Sequence, residues 1–219
     1  MNGQNEEAMN KILIIGADDI GLTVADILLK TGGGPAELEP IGFLDDHSLN
    51  HGRTLLGLRV LGSLEMLQSL PHAGVVLAIS ASYSRSKVFK RLRNNGEIIY
   101  SAVDPSVIVG REVSIGVGCV VAAGAVVAPG CTIGEGTVLD TGCLIGPRCQ
   151  VGAYCSIGPG ARLGFESQLG ALVTVGMGAT IIPYARIGDG ATIASHTLAA
   201  QDIPIGLTVV APMSKIFRA

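Results

Sequence analysis

The sequence has little of what membrane spans and nucleic-acid surfaces are made from. It contains no tryptophan, aromatic residues make up 4% of its 219 residues, and charged residues make up 15%. No run of eighteen apolar residues occurs, which argues against a membrane-spanning helix. The formal net charge is −3, and no aromatic platform for base stacking is visible, so nucleic acid is not the expected partner. What remains is a globular chain of one or two domains.

Cysteine is present, but not in the patterns that hold a metal ion or a disulfide. The five cysteines are Cys119, Cys131, Cys143, Cys149 and Cys155. Their number is odd and no C-x-x-C occurs, so we expect no metal site. All five fill the second position of a six-residue repeat, a slot otherwise taken mostly by alanine, where free cysteine acts as a compact hydrophobe. A reactive thiol is the alternative. Unpaired cysteines indicate a cytoplasmic location.

Residues 106–195 form fifteen consecutive hexads without an inserted or deleted residue. The fourth position of every hexad is aliphatic, from Val109 in the first to Ile193 in the last. This period does not fit an α-helix, and it is the signature of a parallel β-helix in which three hexads make one triangular coil. Glycine dominates the fifth position, where we expect the chain to turn a corner. Five coils spaced ~4.8 Å apart predict a prism of roughly 24 Å.

The residues before Asp104 have a different composition, with more charged and helix-forming side chains. The apolar runs predict strands at 11–16, 41–46, 74–80 and 98–103, with helices at 22–30, 63–70 and 84–95 between them. Alternating strands and helices predict a parallel sheet with crossover helices, a small Rossmann-like domain.

Four segments follow from these patterns. The first ten residues are polar and acidic, and we expect them to form a disordered terminus rather than a signal peptide. The Rossmann-like domain then covers residues 11–103, and the β-helix covers 104–195. Residues 196–219 are expected to fold back as a tail that caps the open end of the prism.

The first turn from strand to helix is the candidate substrate site of the α/β domain. It consists of Gly16, Ala17, Asp18, Asp19, Ile20 and Gly21. Its glycines are five apart, so it is neither G-x-G-x-x-G nor a P-loop, and its two aspartates would repel phosphate at the helix N-terminus. Asp45 and Asp46 end the second strand, where α/β sheets bind ribose hydroxyls. A tight turn before a packed helix and solvated turn acids are the alternatives.

These motifs together resemble one family. Residues 11–219 are similar to the bacterial sugar O- and N-acetyltransferases of surface-glycan synthesis, which include sialic acid O-acetyltransferases and UDP-amino-sugar N-acetyltransferases. The features that carry the resemblance are G-A-x-x-x-G at 16–21, FLDD at 43–46, LGLRVLG at 56–62, LAIS at 77–80, DPS at 104–106 and VVAP at 209–212. The resemblance implies a left-handed β-helix, a homotrimer and a nucleotide-sugar or sugar acceptor held by the first domain. It also implies that acetyl-CoA or another acyl-CoA lies along the prism between subunits.

The sequence departs from the family at its catalytic motif. The family's catalytic motif, which begins V-I-N-T-G, corresponds to VLDTGCLIGPRC at 138–149, and the resemblance places Pro147 where the family has its general-base histidine. Ser156 replaces a second histidine, and Ile20 replaces a polar residue of the nucleotide turn. Asp140, at the family's asparagine, is therefore the candidate catalytic residue, because a carboxylate can act as a base when burial raises its pKa. The alternative is a corner residue that substitutes for glycine.

The resemblance also points to residues that would contact CoA. These are Gly164, Phe165, Gly176 and Met177, with Lys215 near the phosphates, although corner geometry explains the glycines equally well.

Two functions remain open. The chain is an acyltransferase in which orientation of an already activated thioester supplies much of the rate, or it is a non-catalytic trimeric binding or scaffold protein of the same fold.

Overall fold

The first part of the chain forms an α/β domain in the computed structural model, which describes residues 10–31 and 38–211. Its elements are β1 (Lys11–Ile15), α1 (Asp19–Thr31), β2 (Glu39–Leu44), a 3-10 helix (Ser48–Asn50), β3 (Thr54–Leu55), β4 (Leu58–Gly62), a second 3-10 helix (Leu64–Ser69), β5 (Gly74–Leu77) and α2 (Ser82–Asn94). The sheet has the order β3-β4-β2-β1-β5, and every neighbouring pair is parallel except the β3–β4 hairpin.

The two α-helices cover opposite faces of this sheet. Alternate side chains of a strand point to opposite faces. Ile12 and Ile14 accordingly pack in the cluster that contains the buried residues of α1, whereas Leu13 and Ile15 pack with Phe89 of α2. Within residues 10–31 and 38–211, no helix is long and apolar enough to cross a membrane.

The rest of the described chain coils into a prism with three parallel sheets. The junction sheet contains β6 (Ala102–Val103), β9 (Val120–Val121), β12 (Val138–Leu139), β15 (Ser156–Ile157), β18 (Thr174–Val175), β21 (Thr192–Ile193) and β23 (Thr208–Val209). The apolar sheet contains β7 (Ile108–Val109), β10 (Val126–Val127), β13 (Leu144–Ile145), β16 (Arg162–Leu163), β19 (Thr180–Ile181) and β22 (Leu198–Ala199). The polar sheet contains β8 (Ser114–Ile115), β11 (Thr132–Ile133), β14 (Gln150–Val151), β17 (Gln168–Leu169) and β20 (Arg186–Ile187).

The coils continue beyond the predicted range at both ends. At the start, β6 already pairs with β9, so Ala102 and Val103 belong to the prism rather than to the α/β sheet. At the end, β22 and β23 pair with β19 and β21, so residues expected to form a capping tail add further strands. After Ala199 the hexad pattern no longer shows the coil, because Ile203 bridges Ile187, sixteen residues earlier, where every regular coil has eighteen.

Glycine recurs at the first and at the fifth position of the hexad, for different reasons. At the fifth position the backbone is ordinary, contrary to the expectation of a turn that needs glycine, but the next coil lies close. A Cβ on Gly146 would lie 2.7 Å from the carbonyl oxygen of Leu163. The left-handed conformation occurs instead at the first position, as at Gly142 with φ of +65°. Close stacking therefore requires the fifth-position glycines.

The α/β domain and the prism share buried apolar contacts. Val120 and Val138 of the junction sheet belong to the same cluster as Val24 and Leu28 of α1. On the other side, the Phe89 ring of α2 meets the ring of Tyr154 edge to face at 5.4 Å. These contacts fix the two domains against each other and define the cavity between them.

Candidate functional site

A cavity of about 290 Å³ opens at the carboxyl edge of the α/β sheet. Its lining includes Gly16, Asp18, Asp45 and Asp46, so the structure brings together four of the eight residues predicted to bind substrate. This is the edge at which parallel α/β sheets bind their ligands, because the loops that follow the strands meet there.

The carboxylates in this cavity already have partners in the fold. Asp18 accepts hydrogen bonds from the N–H groups of Ile20 and Gly21 at 3.0 and 3.2 Å, and therefore caps α1. Its other oxygen accepts a hydrogen bond from the Ser80 hydroxyl at 2.5 Å. Asp46 accepts the N–H of Leu64 at 2.9 Å. The N-terminal N–H groups of α1 that could bind a phosphate are thus partly occupied.

Asp45 is held by main-chain and side-chain donors. Its two oxygens accept the N–H of Ala17 at 2.8 Å, the N–H of His47 at 2.7 Å and the amide of Asn50 at 3.1 Å. Partial burial raises the pKa of Asp45, but these hydrogen bonds outweigh burial and hold it below its ordinary value. Asp45 is therefore an ionised acceptor that shapes the turn containing Ala17.

A second cavity of about 300 Å³ lies where the α/β domain meets the prism. From the first domain it is lined by Asp19, Ile20 and Ser80, and from the prism by residues that include Asp140, Ser156, Thr174 and Gly176. We call it the junction cavity. It joins three sets of predicted residues: Asp19 and Ile20 from the substrate turn, Asp140 as the candidate base and Gly176 as a candidate CoA contact.

Asp140 lies half-buried at the edge between the junction sheet and the apolar sheet, immediately after β12. Its Oδ1 accepts the N–H of Thr141 at 2.7 Å. Pro147 is exposed at the opposite edge of the apolar sheet, after β13, next to the Arg148–Glu166 ion pair. Within one chain, the candidate base and the residue at the family's histidine position therefore lie on different edges of the prism.

The predicted CoA contacts divide between the same two edges. Gly176 and Met177 follow β18 on the edge of Asp140, and Met177 is exposed. Gly164 and Phe165 follow β16 on the edge of Pro147, where the Phe165 ring meets Tyr184 edge to face at 5.0 Å. Lys215 lies outside the described residues.

Two of the predicted glycines are also required by packing. Gly176 stacks on the next coil, and a Cβ there would lie 2.5 Å from the nitrogen of Ser195. Gly21 is buried in α1, where a Cβ would lie 2.5 Å from the carbonyl oxygen of Gly16. No group of three potential metal ligands occurs among the residues that the structure describes.

Two residues at the junction cavity were missed as site residues by the sequence analysis. Arg85 of α2 is fully buried and donates to Ser156 Oγ at 2.9 Å. Ser156 also lies 2.9 Å from Ser82 Oγ. The sequence does contain a signal for Arg85, because it precedes Val88, Phe89 and Leu92 at helical spacing and so falls on the buried stripe of α2.

Comparison with known proteins identifies both domains. Residues 11–92 match the family described as the PglD N-terminal domain, and residues 130–164 match bacterial transferase hexapeptide (six repeats). No curated protein matches the chain significantly.

Solved structures are similar over nearly the whole chain. A histidine-to-asparagine variant of perosamine N-acetyltransferase from Caulobacter crescentus, in complex with CoA and GDP-perosamine, has a TM-score of 0.85 and 26% identity, covering 93% of this chain and 95% of that one. The acetyltransferase domain of PglB from Neisseria gonorrhoeae, in complex with acetyl coenzyme A, has a TM-score of 0.82 and 28% identity, covering 91% and 95%. WeeI from Acinetobacter baumannii, at 22% identity, a TM-score of 0.78 and coverage of 91% and 96%, supports the fold alone.

The predicted fold class is therefore confirmed. The chain is an α/β Rossmann-like domain followed by a left-handed parallel β-helix of hexapeptide repeats.

Proposed function

We propose a function for this chain on the premise that it belongs to the bacterial sugar acetyltransferases with a PglD N-terminal domain and hexapeptide repeats. It transfers an acyl group, acetyl in the simplest case, from acyl-CoA to an amine or hydroxyl of a sugar or nucleotide sugar in surface-glycan synthesis. The observation that carries the proposal is the junction cavity, which gathers Asp19, Asp140 and Gly176 between the two domains.

In this proposal the two parts of a nucleotide-sugar acceptor bind in different cavities. The nucleotide, where there is one, lies at the carboxyl edge of the α/β sheet, and the sugar lies in the junction cavity. Asp18 lines the first cavity and Ser80 the second, and the 2.5 Å hydrogen bond between these two residues places the cavities next to each other. Because Asp19 and Asp140 place two carboxylates in the junction cavity, an amine is favoured over a hydroxyl as the accepting group.

Asp140 is the proposed base for the transfer. The amine nitrogen attacks the thioester carbonyl carbon, the carbonyl electron pair moves to oxygen, and the proton lost from nitrogen passes to the Asp140 carboxylate. Collapse re-forms the carbonyl, breaks the carbon–sulfur bond and releases CoA, whose thiolate takes up the proton held by Asp140 and so regenerates the base. General-base catalysis contributes roughly 10²–10⁴ in rate, and holding both substrates in the cavity supplies a further part of the barrier.

A homotrimer completes this site. Asp140 and Met177 lie on one edge of the apolar sheet, and Pro147 and Phe165 on the other, so a CoA molecule that contacts both edges must lie between two subunits. The outer face of the apolar sheet is suited to such an interface, since Ile108, Leu144 and Leu198 are exposed there. The five unpaired, buried cysteines support a cytoplasmic location.

A second candidate function is a non-catalytic binding or scaffold protein. Pro147 favours it, because proline has no proton-accepting side chain at the family's histidine position. In this reading the cavities still bind ligands, but no transfer follows.

One assay separates the two functions. Acetyl-CoA is offered with a panel of amino sugars and nucleotide amino sugars, and CoA release is followed with a thiol reagent. Turnover by the natural protein that is abolished in Asp140→Asn supports the enzyme, whereas unchanged turnover in that variant excludes Asp140 as the base. Turnover only in Pro147→His supports the binding protein. Acetyl-CoA should also raise the melting temperature, and a flat titration at millimolar concentration contradicts both readings of the CoA site.

The oligomer has its own test. Leu144→Arg places a charge on the exposed face of the apolar sheet and should convert the trimer to monomers in light scattering. Gln150→Arg is the matched control, because it changes an outward residue of the polar sheet in the same coil. A natural protein that is already monomeric contradicts the inter-subunit site.

A further inference from the structure

The buried guanidinium of Arg85 forms no salt bridge among the described residues, and the nearby charge that acts on it is the carboxylate of Asp18. Its five N–H groups face six acceptors, all of them neutral, and the two N–H groups of Nη2 are shared among three of these acceptors. The acceptors are the carbonyl oxygens of Ile79, Ser80, Gly136, Tyr154 and Cys155, and the hydroxyl of Ser156, at 2.6 to 3.1 Å. Burial lowers the pKa of Arg85 to about 10, so it stays protonated at neutral pH. A positive charge is therefore held behind the wall of the junction cavity.

Ser156 connects this charge to the cavity. Its Oγ accepts a hydrogen bond from Nη2 of Arg85 and lies 2.9 Å from Ser82 Oγ, and Ser156 lines the cavity. When Ser82 donates to Ser156, both lone pairs of Ser156 Oγ are occupied, and its own proton is left for a ligand. A hydroxyl that accepts from a cation in a low-dielectric site is a stronger donor than a free hydroxyl.

A proton acceptor lies close to the Ser156 donor on the same sheet. Ser156 pairs in register with Val138 on one side and Thr174 on the other, and Asp140 follows Val138 by two residues. The cavity thus has an anionic acceptor, Asp140, and a cation-backed donor, Ser156, in adjacent coils. Acyl transfer needs both: a base for the incoming nucleophile and a donor for the carbonyl oxygen as it becomes negative.

We propose that the Ser156 hydroxyl donates a hydrogen bond to the thioester carbonyl oxygen. Arg85 is the positioning residue that orients and polarises this hydroxyl. This rests on the proposed function. As the nucleophile attacks, the carbonyl electron pair moves onto this oxygen, and the Ser156 hydrogen bond shortens without transfer of the proton. The electron pair returns to re-form the carbonyl when the carbon–sulfur bond breaks, and the Ser156 hydrogen bond lengthens again.

Three variants test the role of Ser156 in turnover. Ser156→Ala should lower kcat about 10²-fold or more and leave KM for acetyl-CoA unchanged, because the hydrogen bond strengthens only as charge develops. Ser156→Thr keeps the hydroxyl and should restore most of the activity, since threonine occupies the same outward slot at Thr174 and Thr192. Ser114→Ala is the matched control. Ser114 begins a Ser-Ile strand at the same hexad position, but on the exposed polar sheet.

A measurement without turnover separates this proposal from the proposed function. Acetyl-CoA labelled with carbon-13 at the carbonyl is bound to the natural protein and to each variant, and its resonance is recorded. Polarisation by Ser156 should move the carbonyl resonance downfield, and Ser156→Ala should abolish that shift while acetyl-CoA still stabilises the protein. Equal shifts and equal kcat in Ser156→Ala and Ser114→Ala overturn the role of Ser156 and leave the enzyme intact. Absence of any acetyl-CoA binding to the natural protein overturns both.

Discussion

Replacing Arg85 by methionine tests whether one side chain joins the two domains. The guanidinium links the segment Ile79–Ser80 of the α/β domain to Gly136 and Tyr154–Ser156 of the prism. Arg85→Met fills similar space but leaves buried carbonyl groups without their donor. The variant should therefore loosen the wall of the junction cavity as well as the domain contact.

The expected loss of stability in Arg85→Met is the difference between the hydrogen bonds that are lost and the desolvation cost of the charge that is removed. Hydrogen bonds from a charged donor contribute about 1.5–3 kcal/mol each, although they do not add. The pKa of Arg85, lowered by burial from 12.5 to about 10, indicates roughly 3 kcal/mol lost to desolvation of the charge. A buried carbonyl left without its donor costs about 1–3 kcal/mol. Several such groups lose the Arg85 donor, so after the regained desolvation cost of roughly 3 kcal/mol is subtracted, the net loss is about 3–5 kcal/mol. For a chain of this length, that corresponds to a fall in Tm of roughly 6–20 °C.

The assay is scanning calorimetry combined with far-ultraviolet circular dichroism. Among the described residues, α-helix occurs only in the α/β domain, so the helical signal reports the unfolding of that domain and should be lost at a lower temperature than in the natural protein. Arg91→Met is the control, since Arg91 lies exposed on the same helix. A Tm for Arg85→Met within about 2 °C of the Arg91→Met value would refute the reasoning, because a structural link to six acceptors cannot be lost at so little cost.

Three further predictions concern stability and reactivity. Asp104→Asn should lose about 1.5–3 kcal/mol at pH 7 by urea unfolding. The hydroxyl and N–H of Ser106 and the Lys30 ammonium lower the pKa of Asp104 below its ordinary 3.8. The stabilisation is thus present above that value and disappears as pH falls through the folded pKa, so the variant should show a flatter acid limb. Burial raises the pKa of the Cys119 thiol to about 11 and that of Cys155 to about 12, so a thiol reagent should label them only after unfolding; rapid labelling of the native protein would contradict their burial. Gly134→Ala should cost about 1–3 kcal/mol, because its Cβ would meet the next coil at 2.5 Å, and an unchanged urea midpoint would contradict that contact.

In the α/β domain, local sequence patterns predicted the longer helices and most of the strands. The predicted strands at 11–16, 41–46 and 74–80 correspond to β1, β2 and β5, and the predicted helices at 22–30 and 84–95 to α1 and α2. The helix predicted at 63–70 forms as a 3-10 helix, and its first N–H donates to Asp46. The short strands β3 and β4 were not predicted, since a hairpin at a sheet edge needs little hydrophobic signal. Which carboxylate caps which turn depends on contacts distant in sequence.

The candidate site was predictable only in part. Asp19, Ile20, Asp140 and Gly176 were each named from the sequence, but the cavity that they share exists only because α1 packs against the junction sheet. Arg85 could be placed on the buried stripe of its helix, yet its partners in the prism are 51 to 71 residues away, and its other partners lie in the loop after β5. No local pattern specifies such partners.

By itself, the sequence determined the prism, because a strict period of six fixes which side chain points inward in every coil and hence the register of all three sheets. It also determined the order of the α/β elements, since short apolar runs and helical stripes are local properties. Only the tertiary structure decided where the coils end, because a coil of sixteen residues breaks the period without breaking the pairing. Only the tertiary structure, likewise, placed Arg85, Ser156 and Asp140 around one cavity, because contacts between domains depend on packing in three dimensions rather than on sequence spacing.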